Sequence, residues 1–450
     1  MSAAADSLST NLHAAHAALP GHELAWLSER RAAALSSFDA MGFPSVRHED
    51  WKYTNVRNIE RRAFECSKQD ADTQAIAAAI KDFGYDVTSQ IVAPLVDGYP
   101  RQDAVADATA RLPDGVTLLP LASAIADPAH AQIVRAHLGQ VANAGSDGFA
   151  ALNAASLAEG YYLHLAAGVQ LQEPVTILVM AISAQESAMN PRHLIVLERD
   201  ASAHVVEHCV TVNRSASLHN TVTEVALLDG ARLEHTKLQV EAPVGFHVAT
   251  LEAHVGAGAK FVSHAMSAGS AISRYDINVH LNGDSAACVL NGLYLGSGRQ
   301  HVDFHTRIHH AKPNCTSEQL YKGILGGSSR GVFNGQVHVH QDAQKSDAQQ
   351  ANHNLLLSRN AEIDTKPQLE ILADDVKCSH GTTVGQIDQG MLFYLRSRGV
   401  PETQARGLLT FGFAHDLVDR LSVPAVAARM EKILLETLPH GDELKALVEE

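Results

Sequence analysis

The chain is poor in cysteine, in aromatic residues and in positive charge. Its five cysteines (Cys66, Cys209, Cys288, Cys315 and Cys378) are scattered over 450 residues with no CxxC pair. An odd, sparse set does not make a disulfide framework and fits a reducing compartment, so a cytoplasmic location is expected. Aromatic residues make up 5%, and the two tryptophans, Trp26 and Trp51, both lie in the N-terminal region. Acids outnumber bases by 50 to 35, a net charge of −15, which argues against a nucleic-acid partner whose phosphates would be repelled. The longest apolar runs, such as "VTILVMAI", are far too short to cross a bilayer. The N-terminal stretch "MSAAADSLSTNLHAAHAALP" has no basic n-region and no apolar h-region, so no secretory signal is expected.

Catalytic signatures are missing as well. The glycine-rich "GILGGSSRG" lacks the GK[ST] ending that would set a lysine on phosphates, and there is no HExxH. One GxSxG match, "GSSRG" from Gly327 with Ser329 at its centre, is followed by the strand-like "VFNGQVHVH". A nucleophile elbow needs a helix there, so the match reads as a turn.

Length predicts two or three domains. Residues 1–145 are alanine-rich and read as helices with loops: "HELAWLSERRAAALSSF" carries Leu24, Leu27, Ala34, Leu35 and Phe38 near helical spacing. "DADTQAIAAAIKDFG" reads as a second helix stopped at Gly84. From about Leu163 to Ile387 short alternating segments are separated by Gly, Asn and Asp turns. A weak repeat of apolar, turn, apolar begins at Leu197, Leu228, Val255, Leu281, Leu325 and Leu357, with a shorter-spaced copy at Leu295. Such a unit cannot bury its apolar face alone, and stacking into a solenoid is the expected remedy. A β-helix with unequal loops fits; a two-sheet sandwich gives similar local text. Residues 389–450 turn helical again, with Val426, Met430, Ile433 and Leu434 on one face.

Histidine is abundant, at 26 residues. In "HVDFHTRIHH" strand alternation sets Val302, Phe304 and Ile308 on one face and His301, Asp303, His305, Arg307 and His309 on the other. "QVHVHQ" repeats this with Val337 and Val339 against His338 and His340. These imidazoles are expected on an outward face, as an interface or a solvated surface; a metal site needs three or four convergent ligands. In "DDVKCSHGTTVGQID", Cys378 and His380 share parity and would lie about 6–7 Å apart on one strand face. Thiolate plus imidazole suits iron or zinc, but two ligands do not close a site, and a packed structural cysteine is the plain alternative.

The long stretch "YKGILGGSSRGVFNGQVHVHQDAQKSDAQQANHNLLLSRNAEIDTKPQLEILADDVKCSHGTTVGQID" resembles the core signature of the SufB/SufD family of iron–sulfur cluster assembly scaffold proteins. "LFYLRSRGV" with "ARGLLTFGF" resembles the family's C-terminal helical segment, and "HEDWKYTNV" an element near the N-terminus of its SufD branch. The SufD branch is indicated twice: "QQANHNLLLS" has no cysteine, and "KCSHG" is the SufD form. The resemblance implies a mainly β fold, a right-handed parallel β-helix over residues 146–388 flanked by N-terminal and C-terminal α-helical domains. It implies a non-catalytic subunit that pairs with SufB through the β-helix and holds the SufC ATPase on its C-terminal helices. Phe393, Tyr394, Arg396 and Arg406 are then the expected partner-binding residues. Cys378 and His380 match residues implicated in cluster assembly, with SufB supplying the remaining ligands of a transient iron–sulfur cluster. No tightly bound cofactor is expected in the isolated chain. Two other readings are a β-helix carbohydrate-active enzyme, with Asp374 and Asp375 as its carboxylates, and a stand-alone His-rich metalloprotein. Against the first, adjacent strand residues point to opposite faces.

Overall fold

The computed structural model describes residues 3–66, 73–86, 89–140, 147–157, 159–213, 215–439, 441 and 444. Its centre is a parallel β-solenoid of about eight turns. Each turn contributes one strand to each of two facing sheets. The first sheet holds Leu218–Leu227, Phe246–Val255, Ile272–Leu281, His301–His310, Arg330–Val339 and Glu362–Ile371. The second holds Ser202–Thr211, Arg232–Glu241, Lys260–Gly269, Ala287–Gly296, Thr316–Leu325, Asp347–Leu356 and Lys377–Gly385. Each of these strands pairs in parallel with the strand two along rather than with its neighbour in sequence, which rules out the sandwich.

Strand register explains the sequence repeat. Leu197, Leu228, Val255 and Leu281 lie where the chain leaves the first sheet for the second, whereas Leu295, Leu325 and Leu357 mark the opposite corner. The short step from Leu281 to Leu295 is therefore half a turn. Corners of the first kind carry a left-handed residue: Asp200 at φ 58°, Gly230 at φ 71° and Gly258 at φ 63°. Glycine adopts this conformation without the steric cost a side chain incurs, and Gly230 is further constrained because a Cβ would sit 2.1 Å from Asp200 Oδ1.

Side chains of one parity fill the space between the sheets. Val225, Ala253, Val279, Ile308 and Val337 stand in register as one apolar row, and all are buried. The opposite parity is clothed by helices. Ala25–Met41, with Leu27, Ala34, Leu35 and Phe38 buried as their spacing predicts, belongs to the layer over the first sheet, where Phe38, Phe43, Trp51 and Phe149 cluster with Leu218, Phe246, Val248 and Ile272. Glu402–Val418 and Pro424–Thr437 cover the second sheet through Leu238, Met266 and Leu293. The "HEDWKYT" segment ties the N-terminal layer down: the Arg274 guanidinium lies 3.8 Å from the Trp51 ring centre, and Thr54 Oγ1 donates to Asp303 Oδ2 at 2.5 Å.

The two ends of the solenoid differ. At the first, Tyr99–Pro100 folds back antiparallel on Val92–Val96, and Val116–Pro120 lies antiparallel to Tyr161–Leu165. These strands fall within the stretch that reads as helices and loops, because segments of two and five residues are too short to display a period. The expected boundary at 145/146 lies outside the described residues. At the other end, Glu362–Ile371 and Lys377–Gly385 are the last strands of their sheets, and among the described residues nothing pairs with their outer edges.

His301 and His305 face outward from the solenoid, as alternation requires, but they are not solvated. His305 is 3% exposed and lies 3.0 Å from Asp303 Oδ1, and His301 Nε2 is 2.8 Å from Thr54 Oγ1. The partner of His301 lies some 250 positions earlier in the chain, and His305 is held by Asp303 on its own strand and Asp276 on the neighbouring one; strand periodicity reports neither.

Candidate functional site

The open end carries Cys378 and His380. Both lie on Lys377–Gly385, in register with Ala348 and Gln350 of the preceding turn, and so on the parity that faces the space between the sheets. Cys378 is half-buried against the cluster of Val337, Val339, Ala348 and Ala373; His380 is exposed. Burial pushes the Cys378 thiol up, a backbone hydrogen bond at Ala348 opposes this, and Asp347 adds to it. The thiol is therefore not a primed nucleophile, and metal binding by such a thiol requires loss of its proton. Among the described residues, no convergent trio of His, Cys, Asp or Glu includes either residue. Among the described residues two donors stand at this place and no third converges with them.

Polar side chains continue inward from the open end. Beneath His380, both polar atoms of the buried Gln350 lack a partner. Asn352 donates to Tyr294 Oη at 3.1 Å, and its Oδ1 accepts from Thr365 Oγ1 at 2.9 Å. Deeper still lie two ionic groups that sequence reasoning missed. Glu207 accepts from Lys237 Nζ at 2.9 Å and Thr223 Oγ1 at 2.5 Å, with His235 Nε2 at 3.0 Å. Burial alone would raise its carboxyl, but Lys237 and His235 outweigh it and hold it well below the ordinary range. Glu241 accepts from Gln239 Nε2 and Ser270 Oγ, each at 2.8 Å, and pairs with His219 Nδ1 at 2.5 Å and His247 Nδ1 at 3.2 Å. Burial would raise this carboxyl as well, and the two imidazoles outweigh it and hold it well below the ordinary range. His219, Glu241 and His247 do bring donors within 4.8 Å of one another, a set compatible with zinc by ligand type. It is closed inside the solenoid, however, and its carboxylate is already satisfied. The signal in the sequence was charge at inward parity, at Glu207, Lys237 and Glu241, beside apolar residues.

The remaining candidates separate. Asp374 and Asp375 sit in an exposed corner between the last two strands, not on a strand, so the opposite-face argument does not apply to them. Phe393 and Tyr394, on the helix Gln389–Ser397, are 73% and 57% exposed. Arg396 and Arg406 both pair with Glu402, at 3.4 and 3.0 Å. Beside this helix a groove of about 460 Å³ runs between Thr383, Val384, Asp388, Met391, Leu409 and Phe413, joining the last strand to the C-terminal helices.

A parallel β-solenoid with one capped end, one open end bearing Cys378 and His380, and helical layers on both sheets defines the class of protein. Comparison with known proteins gives the family. The SUF system FeS cluster assembly SufBD core domain matches residues 180–413, and the SufBD protein N-terminal region matches residues 3–177. The iron–sulfur cluster assembly protein SufD of Escherichia coli is 32% identical over 409 residues, 89% of this chain and 90% of its own length. The SufBD family protein slr0076 of Synechocystis is 28% identical over 92% of each chain. SufD of Bacillus subtilis is 27% identical over 63% of this chain and 65% of its own. The chain belongs to the SufB/SufD family of iron–sulfur cluster assembly proteins. Among the described residues no helix is long and apolar enough to cross a membrane.

Proposed function

We propose that the chain is a non-catalytic, cytoplasmic scaffold subunit of the SufD type, acting within a SufB–SufC–SufD complex. The observation that carries this reading is the open end: two exposed edge strands, one of them bearing Cys378 and His380 with no third convergent ligand among the described residues. Unpaired edges are templates for a further strand, and proteins normally blunt them. Left open beside a half-site, they suit a partner, SufB, that both continues the sheets and completes the ligand set. The nascent cluster is then cargo held between two chains, to which this chain contributes a thiolate and an imidazole. Phe393, Tyr394, Arg396 and Arg406, on helices braced against the second sheet, would receive SufC, which supplies ATP hydrolysis.

Association with SufB tests the docking surface. Leu372 and Val384 are exposed at 53% and 51% at this end. Leu372→Asp combined with Val384→Asp should abolish co-purification with SufB while leaving the melting temperature unchanged. Undiminished co-purification would overturn the assignment.

A further inference from the structure

One residue along from the apolar row of the first sheet, Ala226, His254, His280, His309, His338 and Glu370 stand side by side on successive strands. Parity turns this row outward, and the helical layers leave it partly open: the His280 and His338 side chains retain 32% and 18% exposure. His340 follows on the same face two residues beyond His338. The rings form a continuous column. His280 stacks on His309 at 4.7 Å; His309 lies 5.7 Å from His338 and 6.0 Å from His340; His338 and His340 are 4.2 Å apart. Glu370 Oε2 is 3.1 Å from His338 Nδ1.

We propose that His309, His338 and His340, together with Glu370, form a surface site for one divalent first-row transition ion. A zinc–imidazole bond of about 2.0–2.1 Å sets each ring centre about 3 Å from the ion, so three rings of a tetrahedral site have centres about 5 Å apart. The observed separations, 4.2 to 6.0 Å, bracket that value. The donors of these four residues do not all lie within 4.8 Å of one another in the unliganded chain, and the broad torsion of an imidazole lets each ring turn a nitrogen inward without leaving its χ1 rotamer. The donor set, nitrogen with one carboxylate, selects iron, zinc or cobalt over calcium and magnesium. Three adjacent strands or their ends supply the ligands, so the spacing is fixed by sheet register rather than by a loop. Glu370 belongs to the last strand of its sheet, which puts the site at the rim of the open end. Unlike the His219–Glu241–His247 group, it is reachable from solvent and its carboxylate is not already saturated.

Cobalt(II) titration of the full chain tests this. The wild-type protein should take up one Co²⁺ with the visible bands of a four- or five-coordinate site and no thiolate-to-cobalt charge-transfer band. His309→Gln and His338→Gln should each weaken binding by at least the ~10–100-fold that loss of an outer partner alone produces. Glu370→Gln, at a side chain 55% exposed and so safe for folding, should also weaken it and move the bands. Cys378→Ser with His380→Ala should leave these bands intact, which separates this site from the assembly half-site. Wild-type affinity in Glu370→Gln and in a folded His309→Gln/His338→Gln/His340→Gln variant would overturn the proposal, as would loss of the bands in the Cys378→Ser/His380→Ala protein.

Discussion

Lys237→Met removes an ammonium that Glu207 faces at 2.9 Å inside the solenoid. Methionine nearly preserves the stem of the lysine, so the change is electrostatic rather than a matter of lost volume. Glu207 is left fully buried with Thr223 and His235. Removing one member of a buried ion pair costs about 3–5 kcal/mol, because the remaining charge has neither water nor a counterion. Thr223 and His235 remain as hydrogen-bond partners of the carboxylate, so a loss at the lower end, about 3 kcal/mol, is expected at pH 7. Adding Glu207→Gln removes the stranded charge, and the double variant should be more stable than the sum of the two single losses implies by about 1–3 kcal/mol. Urea unfolding followed by far-UV circular dichroism, on all four proteins of the cycle, reads both quantities as midpoint shifts at constant slope. A Lys237→Met protein within about 1 kcal/mol of the parent, or strict additivity in the cycle, would refute the view that this pair is a dry, mutually compensating unit.

Acidification supplies a second prediction. Burial holds His193 near 4 and His208 near 3, against about 6.5 in the unfolded chain. The unfolded state then binds more protons below about pH 6.5, and each residue removes about 1.4 kcal/mol of stability per pH unit from there down to its folded value. Melting temperature should fall steadily from pH 7 to pH 5, and His208→Phe should flatten the slope; an unchanged slope would exclude His208 as a source. Cysteine accessibility gives a third. Burial pushes the Cys209 thiol up to about 12, so iodoacetamide at pH 8 should modify Cys378 and spare Cys209 and Cys288, as read by peptide mass. Comparable labelling of Cys209 would mean the solenoid interior is open to solvent. Fourth, Phe393→Asp with Tyr394→Asp should abolish SufC pull-down without changing the melting temperature, and retained binding would place the contact elsewhere.

The solenoid was legible because its repeat unit includes a corner, and corners leave turn residues in the sequence at nearly constant intervals. The short spacing at Leu295 reads in the sequence as unequal loops and is a half-turn, visible once the strands are paired. Val302, Phe304 and Ile308 inside, with their histidine neighbours outside, followed from parity alone. Parity does not tell what lies on the outward face. Thr54 and Trp51 close over Asp303 and Arg274 from the far end of the chain, and no local pattern encodes that contact. The ionic groups at Glu207 and Glu241 were missed for a related reason: strands covered on both faces lose the apolar–polar alternation that would flag an inward charge. Cys378 and His380 were singled out by residue type and spacing, and a role for them was implied only by the family resemblance. That they belong to the last strand, with a free edge and no third ligand among the described residues, required the pairing of the whole sheet.

The central claim is that the open end is half of an assembly site completed by SufB. Anaerobic reconstitution of the co-purified SufB–SufC–SufD complex, with iron and acid-labile sulfide counted per complex, tests it most directly when wild type is set beside Cys378→Ser and His380→Ala. Both variants should assemble the complex and melt like wild type, since His380 is exposed and serine nearly matches cysteine in volume. Both should hold markedly less iron and sulfide, with the visible absorbance of the cluster reduced in proportion. Wild-type iron and sulfide content in both intact complexes would contradict the account and leave Lys377–Gly385 an ordinary structural strand.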